Sequence, residues 1–217
     1  MNSYEPAGIG TMKKLLLALV LTIACSITAA ASDAPDLLSR IVAQLSEPAV
    51  VRAGFVQEKQ IAVLSRPIVS RGRVIISRRD GLIWLIEVPL RMSIAFSDSR
   101  IIETDAEGKR RVYNDSDNRI QAEVGRVFHG LLAADLGILD RYFSLQAAGD
   151  TQHWRIELTP RSVELGKFIK TLQLTGGRTI ETIRVEEPNN DTTLIRLQNV
   201  TTADSLSADE QALLSTP

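Results

Sequence analysis

The sequence is poor in the residues from which reactive sites are most often built. It has one cysteine, Cys25, and two histidines, His129 and His153, among 217 residues. Cys25 lies in the apolar leader described below, so the chain after it has no thiol for a disulfide, a thiolate metal site or a cysteine nucleophile. Neither histidine stands at metal-ligand spacing from the other or from a nearby acid. We therefore expect no metal site and no cofactor.

An excess of charge of one sign is also absent, and so are the usual catalytic motifs. The 25 basic and 26 acidic residues are interspersed, which argues against nucleic acid as a partner because a phosphate-binding face needs a basic excess. No G-x-S-x-G, H-E-x-x-H, P-loop or dinucleotide-binding pattern occurs. The sequence predicts no catalytic residues and a protein that is not an enzyme.

The first 31 residues have the order of a bacterial secretory signal. Lys13 and Lys14 precede an apolar run from Leu15 to Ala24, and small residues follow up to Ala31. The run is too short to span a bilayer stably, and no later stretch approaches that length. We expect residues 1–31 to be a cleaved signal peptide, whose own start can be Met12. Residues 32–217 are then expected to form a single domain in the periplasm.

The pattern after the leader predicts one short helix and then mostly strands. Residues 36–45 have the apolar spacing of an amphipathic helix. The expected strands are runs of branched and aromatic residues at 52–60, 68–78, 82–88, 92–97, 100–105, 110–113, 142–147, 153–159, 168–175, 179–187 and 192–200. Turn dipeptides such as Asp80-Gly81 and Gly149-Asp150 indicate antiparallel neighbours in a meander. About ten or eleven strands are too many for a flat sheet, so the sheet should curl into a barrel or half-barrel.

The middle of the chain and its end break this strand pattern. Residues 120–135 have helical periodicity, and Gly137 is expected to end that helix. The apolar face of this helix comprises Val124, Val127, Phe128, Leu131, Leu132 and Leu136. A curled sheet should bury such a helix against its concave face, where it either completes a solid core or covers a hollow one. The tail from Ala203 onward can be a short docked helix or a frayed end.

The motifs from residue 55 to residue 89 resemble a known family. They comprise Phe55-Val56-Gln57-Glu58-Lys59, Arg66-Pro67, Ser70-Arg71-Gly72, the run from Ile75 through Gly81 to Trp84, and Pro89. In this order they are similar to the periplasmic outer-membrane lipoprotein carrier family (LolA-like), in a divergent branch. The resemblance implies an unclosed antiparallel barrel capped by helices, with an apolar cavity that shelters the acyl chains of a lipid-modified cargo. It also implies an arginine that holds the lid helices shut, at Arg78 or, with a one-residue slip, at Arg79.

A cavity for one acyl chain has a simple energetic requirement. Burying about sixteen carbons stabilises the complex by on the order of 10 kcal/mol before any cost, at roughly 0.8 kcal/mol per methylene. The protein must therefore offer a matching apolar surface. The residues expected to line it are Phe55, Ile75, Trp84, Ile94, Phe96, Val127, Phe128, Leu131, Phe143 and Trp154.

These observations favour a non-enzymatic periplasmic carrier. It would bind the acyl chains of lipoproteins, or another acylated lipid product, and transfer them toward the outer membrane. The expected partners are an inner-membrane exporter and an outer-membrane acceptor, and the expected state is a monomer. Two alternatives are an envelope module that senses lipid or lipoprotein, and a lipid-modifying enzyme, for which His129 would be the first residue to mutate.

Overall fold

An eleven-stranded antiparallel sheet dominates the fold. The computed structural model of the chain describes residues 36–97, 100–114, 127, 129, 130 and 135–215. The strands are β1 Val50–Gln60, β2 Ile68–Ser77, β3 Gly81–Val88, β4 Met92–Ser97, β5 Arg100–Thr104, β6 Arg110–Asn114, β7 Phe143–Gly149, β8 Trp154–Pro160, β9 Thr171–Gly176, β10 Ile180–Glu186 and β11 Thr192–Ala203. Four helices in the described ranges are α1 Leu37–Leu45, α2 Leu136–Tyr142, α3 Val163–Gly166 and α4 Ala208–Leu214.

The first and last strands pair in the middle of the sheet. The strand order is β6-β5-β4-β3-β2-β1-β11-β10-β9-β8-β7, and β1 pairs with β11 from Val50 opposite Ala203 to Gln60 opposite Thr192. Strands β6 and β7 follow each other in the chain but lie at opposite edges. The sheet is thus an unclosed barrel, as predicted. The single meander expected from the turns is corrected to two meanders that join through β1 and β11.

Successive side chains on each strand point to opposite faces, and both faces carry apolar clusters. We call the face with Phe55 and Trp84 the inner face; its buried cluster includes Ile41 of α1. The opposite, outer face has a smaller cluster, which comprises Val50, Ile75, Ile83, Ala95, Ile102 and Leu206. Leu213 and Leu214 of α4 pack against that smaller cluster. The C-terminal tail is therefore a docked helix rather than a frayed end.

The predicted first helix is confirmed, and its sequence explains its ends. The Asp36 carboxylate accepts a hydrogen bond from the Ser39 backbone N–H at 2.8 Å and so caps the N-terminus. Ile41 is fully buried against the inner face. A helix of this length is marginal alone, so the covered apolar face stabilises it.

The described part of the mid-chain segment differs from the predicted helix at one end. Val127, His129 and Gly130 have helical backbone, and Val127 is buried in the inner-face cluster. Gly137 does not end a helix: it lies in the first turn of α2, which Asp135 caps through a 3.0 Å bond from the Ile138 N–H. The Asp135 side chain accepts from one of the free N–H groups of the first turn, so α2 begins there. The remainder of residues 120–135 and all of residues 1–31 lie outside the described residues.

Two arginines tie α4 to the outer face. Arg52 of β1 donates from Nε and Nη2 to the two carboxylate oxygens of Glu210, at 2.6 Å and 2.5 Å. Arg110 of β6 donates to the backbone carbonyls of Leu213 and Ser215 at the C-terminal end of α4, at 3.2 Å and 2.7 Å. The helix thereby spans from the central strand to an edge strand. Hydrogen bonds from Arg52 lower the pKa of Glu210 to about 2.

Gly72 is expected to be irreplaceable because the neighbouring strand approaches its Cα closely. A Cβ at this position would stand 1.8 Å from the carbonyl oxygen of Leu85, whereas a Cβ at Gly54 would meet its nearest atom at an ordinary 3.4 Å. Gly72→Ala should lower the free energy of unfolding by about 3 kcal/mol or more, since strand backbone must move. Gly54→Ala is the matched control and should change it by less than about 1 kcal/mol. Urea denaturation measures both, and equal effects would contradict the steric argument.

The Arg52–Glu210 pair should make the free energy of unfolding depend on pH in the acidic range. The folded-state pKa of Glu210 lies below its unfolded value, so its contribution is present above the unfolded pKa and is lost as pH falls from about 5 toward 2. With both side chains partly exposed, we expect on the order of 2 kcal/mol at neutral pH. Glu210→Gln should show a correspondingly smaller loss of stability between pH 7 and pH 3 in urea titrations. An unchanged pH dependence in this variant would refute the pair's role.

Candidate functional site

The inner face presents a continuous apolar surface that crosses the two halves of the sheet. Phe55 and Trp84 stack with their ring centroids 4.1 Å apart and an interplanar angle of 27°. On the other half, Trp154 is buried and donates from Nε1 to the Gly177 carbonyl at 2.6 Å. The aliphatic members between and around these rings are Ala53, Val74, Ile76, Leu82, Ile156, Leu158, Leu172, Leu174, Ile180, Ile183 and Ile195. In aqueous solvent, such a surface must be shielded from water by another part of the protein or by a ligand.

The structure brings together most of the described residues that the sequence assigns to a cavity. Five of them are buried in the inner-face cluster, and these are Phe55, Trp84, Val127, Phe143 and Trp154. Ile94 and Phe96 pack at its margin.

Of the other three predicted residues, one lies on the opposite face and two lie outside the described residues. Ile75 stands between Val74 and Ile76 on β2, so its side chain points to the outer face and packs in the smaller cluster. Ile75 therefore cannot line the same space as Phe55, and this corrects its predicted place among the cavity residues. Phe128 and Leu131 lie outside the described residues.

Open space next to this surface is found at the C-terminal end of α1. Side chains fill the centre of the inner face, where Phe143 and Ile183 are wholly buried and Phe55 nearly so. A small cleft with a cavity volume of about 40 Å³, partly open to solvent, lies between α1 and the sheet. Its apolar lining comprises Leu45, Pro48, Val51, Ile76, Ile180, Leu197 and Val200, and its polar lining Gln44, Arg178 and Thr179. A long hydrocarbon chain that enters here reaches the centre only if a covering element moves.

Polar contacts hold α1 to turns from both halves of the sheet. Gln44 donates from its side-chain amide to the carbonyls of Gly177, at 2.6 Å, and Thr151, at 3.4 Å. From the other half, the Arg78 guanidinium donates to the carbonyl of Ser46, the residue that caps the C-terminus of α1. A cation at that end also interacts favourably with the helix dipole. The end of α1 nearest the cleft is therefore the end that these bonds fix.

The two arginines considered as a lid latch have different surroundings. Arg79 is 87% exposed at its side chain, and among the described residues it pairs with the adjacent Asp80 alone, at 3.2 Å. Arg78 contacts α1 through its side chain, and its backbone N–H donates to Ala49 at 3.2 Å. The geometry therefore favours Arg78 over Arg79 as a residue that holds a covering helix.

Sequence reasoning missed a second contact at the same turn. His129 Nε2 lies 3.3 Å from the Ser77 carbonyl oxygen, and since a carbonyl only accepts, this nitrogen is the donor. Ser77 and Arg78 thus contact both α1 and the mid-chain segment. No sequence pattern links residues 77 and 129, because they lie 52 positions apart in the chain.

The side chains around the cleft offer hydrogen bonds and apolar surface. Among the described residues, no group of three or more histidines, cysteines or acids is arranged to hold a metal ion. None of the helices within the described ranges has the length and apolar character needed to cross a membrane.

His153 lies in the β7–β8 turn, where its backbone N–H and that of Gln152 donate to the Asp150 carboxylate and lower the pKa of Asp150.

Comparison with known proteins gives one family and several distant structures. Residues 28–213 match the family described as outer membrane lipoprotein carrier protein LolA-like. No curated protein matches the chain.

The structural similarities are of low sequence identity. A LolA superfamily protein from Nitrosomonas europaea is 8% identical over 84% of this chain and 99% of its own, with a TM-score of 0.47. A DUF1329 family protein from Desulfovibrio piger is 13% identical over 82% of this chain and 96% of its own, with a TM-score of 0.49. A putative outer membrane lipoprotein-sorting protein domain from Vibrio parahaemolyticus is 7% identical over 82% and 97%, with a TM-score of 0.44. Because the family match spans most of the chain, the protein belongs to the family of LolA-like outer membrane lipoprotein carrier proteins.

Proposed function

We propose that this protein is a non-enzymatic periplasmic carrier that binds the acyl chains of a lipoprotein, or of another acylated lipid product, and transfers them toward the outer membrane. The observation that carries the proposal is the apolar cleft beneath α1, which opens onto the inner face. An acyl chain seated there is removed from water, at a gain of roughly 0.8 kcal/mol per methylene. Membership of the carrier family supports the same cargo class.

Cargo enters at the mouth of the cleft, beside Gln44 and Arg178. Arg178 is exposed there, and within the described residues its guanidinium forms no ion pair, so it is free to meet the polar end of a lipid. The acyl chain lies on Val51, Leu197 and their neighbours. Apolar walls with a few polar groups at the mouth are the usual composition of a lipid-sized site.

Movement of the elements that cover the inner face makes room for the rest of the acyl chain. In the closed state the centre of the inner face is filled, so α1 and the segment around Val127 must shift as the chain advances. The polar contacts that resist this shift lie at turns of both halves of the sheet. Ser77 and Arg78 provide them at the β2–β3 turn, and Gln44 provides them on the other half. Cargo therefore competes with a small set of contacts, and its binding shifts the equilibrium toward the open state. An exporter at the inner membrane and an acceptor at the outer membrane are the partners that this cycle needs.

Lipid should co-purify with the protein and depend on the cleft. Native mass spectrometry of protein from a periplasmic extract should show a lipid adduct on the wild type. Val200→Arg, which places a charge among the apolar lining, should reduce the adduct at least about tenfold because a charge is costly to bury. Val112→Arg, on edge strand β6, is the matched control and should retain it. An adduct that is absent from the wild type, or equal in both variants, would count against the proposal.

Removing the Arg78 contact should favour the open state. Arg78→Leu is expected to raise the rate at which a bound fluorescent fatty acid leaves the protein by about fivefold, from the loss of one partly exposed hydrogen bond of about 1 kcal/mol. Arg79→Leu is the control, since the ion pair of Arg79 in the described part of the chain is with Asp80 and not with a covering element, and its release rate should match the wild type. Stopped-flow displacement measures both rates. Identical rates for Arg78→Leu and the wild type would remove Arg78 from the gate.

A further inference from the structure

Exposed large apolar side chains are concentrated at one end of the sheet. Among the described residues, nine such side chains are exposed, and eight of them belong to the β1–β2, β3–β4 and β8–β9 connections or the strand residues beside these. The most exposed are Val63 at 89%, Leu90 at 76%, Val163 at 76% and Phe168 at 54%. Antiparallel pairing places these three connections on the same side of the sheet, which we call the loop end. A soluble surface rarely gathers its apolar side chains in this way without a partner.

Basic residues accompany the apolar ones at the loop end. The three connections, residues 61–67, 89–91 and 161–170, contain five basic residues and one acid, Glu164. Arg161 pairs with Asp140 at 2.7 Å. In the described part of the chain no ion pair involves Arg66, Arg91, Lys167 or Lys170, so these four cations are available to an external anion.

The acids on the neighbouring β10–β11 turn are already engaged. Glu187 pairs with Lys59 at 2.9 Å, and Asp191 accepts from the Ala62 backbone N–H at 2.8 Å. On the β5–β6 turn the Asp105 carboxylate accepts from the Lys109 N–H at 2.8 Å. The loop end is therefore basic where it is apolar, and its acids lie mostly in internal contacts.

We propose that the loop end docks the protein on the surface of an anionic lipid bilayer. Single apolar side chains at the tips of separate loops suit the interface between headgroups and acyl chains, and lysines and arginines beside them attract anionic headgroups. A protein partner would favour one continuous apolar patch, whereas here polar turns separate the tips. Charge complementarity therefore favours an anionic membrane over a protein as the partner.

Docking at this end leaves the cargo site accessible. The cleft mouth and the contacts of Gln44 and Arg78 lie at the opposite end of the strands, by the β2–β3 and β9–β10 turns. The protein can therefore hold to a membrane while cargo enters or leaves at the mouth. The inference rests on the carrier function proposed above, because a carrier gains from residing at the membrane that it serves.

Vesicle co-sedimentation tests this docking surface. Protein from a periplasmic extract should pellet with vesicles of phosphatidylglycerol and phosphatidylcholine in equal amounts, and not with phosphatidylcholine alone. The double variants Leu90→Ser with Phe168→Ser, and Arg66→Glu with Arg91→Glu, should each bind at least about tenfold more weakly. Thermal melting followed by circular dichroism should show both variants folded, since the altered side chains are exposed.

Matched controls lie away from the loop end. Val112→Ser changes the exposed apolar residue of β6, and Arg155→Glu reverses an exposed charge near the start of β8; both should bind within about twofold of the wild type. Failure of the wild-type protein to bind anionic vesicles, as expected if the partner is a protein, would overturn the inference. Loop-end variants that bind the vesicles as tightly as the wild type would also overturn it. Vesicle binding and lipid co-purification are separate readouts. Lipid adduct without vesicle binding overturns docking alone, and vesicle binding without an adduct overturns the carrier function alone.

Discussion

An apolar sheet face that is not closed on itself must be covered, and this constraint organises the structure. The eleven strands curl without joining β6 to β7, so the inner face cannot bury its own side chains as a closed barrel does. Helix α1 and the chain around Val127 provide the cover instead. Val127 belongs to the connection between the two edge strands, so the connection that leaves the sheet open also supplies part of its cover.

Apolar contacts hold the cover over its length, while directional bonds fix it at one end. Gln44 and Arg78 attach the C-terminal end of α1 to turns from both halves of the sheet, and His129 attaches the mid-chain segment beside Arg78. Apolar contact is non-directional and can be exchanged for contact with another hydrocarbon at little cost. The bonds at the turns cannot be exchanged in this way, which makes them the natural points of control. The outer face differs, since α4 is tied there at both ends through Glu210 and Arg110.

The strands could be predicted because they depend on local pattern, and the unclosed barrel because the motifs between residues 55 and 89 resemble a family that has one. Alternating apolar residues and turn dipeptides such as Gly149-Asp150 specify strand and turn at short range. The pairing of β1 with β11, the helix α2 and the docking of α4 depend on contacts between distant residues, which no local pattern encodes. The cavity residues show the same division: Phe55 and Trp84 follow from the motif, whereas Ile75, between Val74 and Ile76 on β2, alternates to the outer face. Gln44 and His129 carry no sequence signal, since their partners are backbone carbonyls.

The central claim is that a hydrocarbon chain replaces the cover on the inner face. The chain has two tryptophans, and both Trp84 and Trp154 lie in the inner-face cluster. Fatty acids brominated along the acyl chain quench tryptophan fluorescence on contact, so titration with them should quench the wild type, and Trp84→Phe and Trp154→Phe should report each half of the face separately. Strong quenching that an unlabelled fatty acid reverses by competition is the expected result. Saturable fatty-acid binding that leaves both tryptophans unquenched would place the lipid elsewhere and exclude the inner face as its site.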